Sequence, residues 1–155
     1  MVSVLQGIVA VVGRLMLVAI FLMSALGNKI PNFEATTQFM ASEGMPMPKL
    51  MLAGGIVFLI LGGLSILVGF KARIGAAMLI AFLVLATYYF HDFWTIADAQ
   101  AREMEMIGFM KNLALIGAMT FVFANGAGVW SLDKLLCKSC CKDGKCETKK
   151  EEVAA

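Results

Sequence analysis

Residues 50–70 read LMLAGGIVFLILGGLSILVGF, twenty-one consecutive residues without a charged side chain. At about 1.5 Å of rise per residue, a helix of that length covers the roughly 30 Å hydrocarbon core of a bilayer. Three further stretches qualify: about Leu5 to Gly27, Ile74 to about Phe90, and about Phe109 to Trp130. Inside lipid a lone segment must satisfy its own backbone amides, so each stretch is read as a helix. The expected fold class is all-α, a polytopic transmembrane four-helix bundle. It forms one membrane domain over residues 1–133, followed by a Lys- and Cys-rich tail over 134–155 that is expected to be disordered.

The remaining composition agrees. With 60% apolar and 15% charged residues, the 155-residue chain has too little polar surface to coat a soluble domain. A net charge of +2 and the lack of a basic patch interleaved with aromatics exclude nucleic acid as a partner, leaving the lipid bilayer. The first span is expected to be retained, since it lacks a basic leader, carries Arg14 in mid-run and shows no small-x-small cleavage pattern. Four spans put both termini and the Lys71-Ala72-Arg73 turn on one side. That side also holds six tail lysines, against Lys29, Lys49, Arg102 and Lys111 on the other, so the positive-inside rule places both termini in the cytoplasm. Residues 28–48 read as an amphipathic interfacial loop and 95–108 as a short surface helix. Gly55, Gly62 and Gly69, spaced by sevens with Ser65 near their stripe, and Gly13 with Gly27 on the first span, read as seams for close helix packing.

The polar residues inside this apolar frame are few. YYFHDFW, residues 88–94, holds the chain's single histidine. His91 and Asp92 lie at the outer end of the third span, Lys29 closes the first beside Asn28, and Lys111 and Asn112 open the fourth. An imidazole, a carboxylate, an ammonium and an amide at one depth against apolar walls suit the head group of a quinone or another small polar molecule. Imidazole ordinarily titrates near neutral pH and can pass a proton. The competing reading is interfacial anchoring, with Tyr88, Tyr89, Phe93 and Trp94 as an aromatic belt. Arg14, about nine residues into its span, carries an insertion cost of about 2.5–3.5 kcal/mol at a helix centre. It either snorkels or hydrogen-bonds structurally, or else it holds an anion or polar ligand, because the spans contain no acid at its depth.

All four cysteines, Cys137, Cys140, Cys141 and Cys146, lie in the tail, which argues against a membrane thiol oxidase with redox cysteines at its outer face. In a reducing cytoplasm they remain thiols. Four thiolates within ten residues could bind Zn²⁺ or Cu(I), although the adjacent Cys140 and Cys141 fit no standard zinc finger and a solvated basic tail is the simpler reading. No phosphate loop, dinucleotide fingerprint, nucleophile elbow or histidine pair for haem is present.

Five motifs in order, GRLMLVAIFLMSALGNKIPNF, GGIVFLILGGLSILVGFKARIGA, FHDFW, FMKNLALIG and GAGVWSLD, resemble DoxX-family membrane proteins over about residues 13–133. Arg14, Lys29, Gly62, Gly63, Gly69, Arg73, His91, Trp94, Lys111 and Asn112 stand where similar members show such residues. Leu59 departs from the glutamate that many members carry before the paired glycines, which weakens a proton relay borrowed from them. The resemblance implies a four-helix bundle in the bacterial inner membrane, in a family linked to quinone-dependent thiosulfate oxidation and to thiol and oxidative-stress complexes. The function expected is that of a subunit in a quinone-linked or thiol oxidoreductase system with a membrane or cytoplasmic partner, not an enzyme on its own. The alternative is a non-catalytic scaffold or assembly factor whose Cys-rich tail docks a cytoplasmic protein. Four helices are expected to enclose little cavity, which makes association with further chains plausible, while the unbroken spans speak against solute transport.

Overall fold

The computed structural model describes residues 2–128 and 130–133. The tail, with its four cysteines and the zinc, copper and docking expectations that rest on them, lies outside the described residues. The chain runs through α1 (Val2–Leu22), a π-helical segment (Met23–Lys29), α2 (Phe33–Ser42), α3 (Pro48–Val68), α4 (Ala72–Phe90) and α5 (Ala99–Asn125). Four of these stretches, 4–29, 48–68, 72–90 and 99–125, are long and apolar enough to cross a membrane. The expected all-α fold with four spans is what the chain adopts.

Local chemistry sets the ends. Pro48 occupies the first turn of α3, where its missing N–H has no helical partner to lose. Gly69 closes α3 at φ +72°, the left-handed cap that glycine adopts without strain. Asp98 caps α5, accepting the Ala101 N–H at 2.8 Å. That cap corrects one expectation: residues 99–108 form no separate surface helix but the first turns of an unbroken α5. The same helix stops at Asn125, short of Trp130, because Gly126 turns the chain at φ +73°. In the 28–48 connection, residues 33–42 form α2, which lies against α3.

α3 packs along α4 and α4 along α5, while α1 rests on α3. One apolar cluster joins them, with Val18, Phe21, Leu59, Ile66, Leu79 and Met119 at its centre. The α3–α4 seam is tight where glycines face. A Cβ built on Gly75 would stand 2.8 Å from the Gly62 carbonyl oxygen, and one on Gly62 would stand 3.0 Å from that of Gly75. On the first span the expected seam is absent among the described residues, since a Cβ built on Gly13 or Gly27 would meet no atom of another element within 4 Å. Gly69 serves as a cap, not as part of a helical stripe.

α1 is displaced along the bundle axis. Arg14 reaches Gly69 at the end of α3, Val18 and Leu22 contact Gly63, and Lys29 lies over the Phe82 ring, eight residues before the end of α4. At one end, called here the near end, residues 2–13 therefore project about 18 Å past the α3–α4 turn. At the far end α1 stops early, and α2 with Met40 and Met45 packs against Leu52, Tyr89 and Phe90 in its place. Phe39 of α2 stacks on Phe90 at 5.6 Å.

Candidate functional site

The early end of α1 leaves a cavity of about 520 Å³ in the far half of the bundle. Its walls are aliphatic and aromatic side chains from α1, α2, α3, α4 and, through Leu115, α5, and its polar lining consists of Ser24, Lys29, Thr36, His91 and Asn112. Few polar groups in an apolar concavity of several hundred Å³ is the usual make-up of a small-molecule site. This corrects the expectation that four helices would enclose little space: α1 stops early, and α2 packs in place of its missing turns without filling them. Part of the lining is itself exposed at the protein surface, including Ile20, Leu50 and Leu85, so the mouth opens through apolar side chains.

Lys29 reaches the cavity through the π turn. At about 100° per residue, the residue facing the core seven positions after buried Phe21 would be Asn28. The wider π turn accommodates one more residue, so Asn28 is exposed and Lys29 takes the inward place. The same i to i+5 register stacks Lys29 on Ser24, whose hydroxyl accepts from Nζ at 2.8 Å. The ammonium also lies 5.7 Å from the centroid of the Phe82 ring, within reach of a cation–π attraction.

His91 and Asn112 are held by two polar rungs between α4 and α5. Nδ1 of His91 lies 2.7 Å from a carboxylate oxygen of Glu105. With Glu105 ionised, Nδ1 donates, and Nε2 is the nitrogen left for a ligand. The imidazole lies on Gly108, where an added Cβ would fall 2.6 Å from Nδ1 and Cε1. One turn deeper, Asn112 donates to the Thr87 hydroxyl at 3.0 Å, and Thr87 donates to the Leu83 carbonyl at 2.7 Å. The His91 and Glu105 side chains are 26% and 37% exposed, so the outer rung stands between the cavity and the surface and is not sealed from either.

Of the six residues expected at a site, the cavity gathers Lys29, His91 and Asn112. Asp92 lies in the turn after α4, where its carboxylate and carbonyl both accept from the Thr95 hydroxyl at 2.9 Å. Lys111 is exposed and does not line the cavity, one residue and about 100° away from Asn112. Arg14 sits at the opposite end. Only 6% exposed, it donates to the carbonyls of Ala10, at 3.2 Å, and Trp130. It thereby fastens the segment after α5, whose Asp133 carboxylate also accepts the Lys71 N–H at 2.9 and 3.1 Å.

Glu105, Ser24, Thr36 and Thr87 were not expected there. Glu105, Gly108 and Asn112 follow an i, i+3, i+7 pattern that marks one helix face, and Thr87 precedes His91 by one turn. That pattern becomes readable once residues 99–125 are one helix. The aromatic belt divides: Tyr88 and Trp94 are exposed, whereas Phe93 packs edge-on against Phe109, 5.4 Å between centroids, tying the turn to α5.

The model of the DoxX family matches residues 9–92 of this chain. The chain is 32% identical to the inner membrane protein YqjF of Escherichia coli (strain K12) over 134 residues, covering 86% of this chain and 96% of that protein. It is 30% identical to the inner membrane protein YphA of the same organism over 127 residues, 82% of this chain and 89% of that protein. A shorter similarity, 27% over 70 residues, links 44% of this chain to 23% of the Surfeit locus protein 4 homolog of Schizosaccharomyces pombe (strain 972 / ATCC 24843). No solved structure matches.

Proposed function

The chain belongs to the DoxX family of integral membrane proteins, and from that premise we propose that it is a subunit of a quinone-linked oxidoreductase system, not an enzyme on its own, holding a quinone-like molecule in the far-end cavity for a membrane or cytoplasmic partner. The observation that carries this reading is the convergence of Lys29, His91 and Asn112 on one apolar cavity. A ring bearing oxygen atoms would meet donors from Lys29, from Asn112 and, when the imidazole carries both protons, from Nε2 of His91, while its tail lies along the aliphatic walls. The mouth favours a ligand dissolved in the bilayer over one arriving from water. His91 is the proton carrier: Nε2 exchanges with the bound head group while Nδ1 and Glu105 connect it toward the surface. In this reading the near end faces the cytoplasm, so proton exchange occurs at the outer leaflet, and the protein resides in the inner membrane as its named relatives do.

The test is binding of a short-tailed quinone analogue to the protein in nanodiscs, followed by equilibrium dialysis. We expect saturable binding that weakens about tenfold in Asn112→Leu and in His91→Ala, the loss of one good hydrogen bond each. A wild-type protein that neither retains quinone on purification nor binds the analogue would end the reading.

A further inference from the structure

Lys29 has no counter-ion among the described residues. Among the described residues the ion pairs are Lys49 with Glu34 and His91 with Glu105, and neither involves Lys29. Its ammonium meets one hydroxyl and one aromatic face, in a cavity whose other polar lining is Thr36, His91 and Asn112. Removing an ammonium from water into an apolar surround without an opposite charge is costly, and natural interiors pair such charges. Here the chain inserts a π turn, a rare backbone form, which directs the lysine inward where regular helix would have presented Asn28. The cavity therefore presents a lysine amino group, hydrogen-bonded on one side and open on the other.

We propose that the cavity takes a single-chain amphiphile with an anionic carboxylate head, whose carboxylate pairs with Lys29 and whose alkyl chain leaves through the apolar mouth into the bilayer. This names a different occupant for the same cavity and rests only on that cavity being a binding site for an amphiphile from the bilayer. Three observations converge on that class. The head needs a negative charge, because the Lys29 ammonium meets no carboxylate among the described residues. It is small, because Ser24 and Phe82 already occupy the other sides of the ammonium. The rest is alkyl, because Ile20, Leu50 and Leu85 line the cavity and are also exposed at the protein surface. Asn112 supplies a neutral donor for the second carboxylate oxygen. A neutral quinone would leave the charge unpaired, whereas a carboxylate satisfies it.

The experiment compares hexadecanoic acid, hexadecanol and the short-tailed quinone analogue on the full chain in nanodiscs of neutral lipid, with binding read by competition against a diazirine-bearing hexadecanoic acid and mapping of the cross-linked residues. The acid should bind at least about tenfold more tightly than the alcohol, the scale of a charge-assisted hydrogen bond, with labelling at α1, α3 and α4 around the cavity. Lys29→Gln should bring acid and alcohol within about twofold, Lys29→Arg should keep the preference, and Lys111→Gln, on the exposed face, should leave it unchanged. Size-exclusion profiles identify any variant that fails to fold, and the acid-to-alcohol ratio in the wild type needs no variant at all. If the wild type binds the alcohol or the quinone analogue as well as the acid, the cavity role stands and the anionic head falls. If none of the three binds, both fall. A preference that survives in Lys29→Gln overturns the assignment to Lys29.

Discussion

At the scale of single residues, the far-end site depends on which side chains the helices turn inward, and neighbours in sequence part company. Asn112 faces Thr87 and the cavity while Lys111 is exposed; His91 reaches Glu105 while Asp92 closes a turn with Thr95. Gly108 holds the imidazole in place by leaving room for it. Gly108→Ala would push a methyl group to 2.6 Å from Nδ1 and Cε1, and the ring, as the end of a side chain, can swing away only by leaving Glu105. We expect a loss of about 1–2 kcal/mol in thermal unfolding followed by circular dichroism in detergent, from mild overpacking and one hydrogen bond. Binding of the quinone analogue should weaken to the level of His91→Ala. Unchanged binding in a folded Gly108→Ala protein would show that the His91–Glu105 rung does not position the imidazole for a ligand.

Among the elements, the π segment decides the site and α5 decides its outer wall. Deleting exposed Leu26 removes the extra residue, so a regular helix would again place Lys29 seven positions after Phe21 and four after Ser24. The deletion should be tolerated, with an unfolding temperature equal to or above that of the wild type, since intrahelical hydrogen bonding becomes regular. Lys29-dependent binding of hexadecanoic acid should persist. A folded deletion protein that no longer distinguishes acid from alcohol would show that the π turn does more than insert one residue. The glycines illustrate the same element-level logic: Gly62 and Gly75 lie where two backbones nearly touch, while Gly13 has open space around it, although spacing alone had given both spans an equivalent seam.

For the whole molecule, the axial offset of α1 produces two different ends. At the near end, Arg14, Gly69, Ser131 and Asp133 bind the segment after α5 to the α3–α4 turn. At the far end, the missing turns of α1 open the cavity that α2 partly covers. If the near end is cytoplasmic, a green fluorescent protein fused after Ala155 fluoresces, and alkaline phosphatase fused after residue 97, in the α4–α5 connection, is active. The reverse pair of signals would invert the bundle and place His91 and Glu105 in the inner leaflet.

Hydropathy alone determined that this chain is built of membrane-crossing helices, because a helix in lipid satisfies its own backbone and needs only length and apolar side chains to be stable there. The sequence also marked Lys29, His91 and Asn112, since polar groups in such spans carry a cost that singles them out. It could not rank Arg14, Asp92 and Lys111 against them, because local spacing is silent about how far one helix slides along another and about where a turn widens by one residue. Those two quantities, the offset of α1 and the π turn at 23–29, are settled by packing between helices. They place Arg14 in a clasp and Lys29 in a cavity, while the unbroken α5 brings the Glu105 carboxylate beside the single histidine.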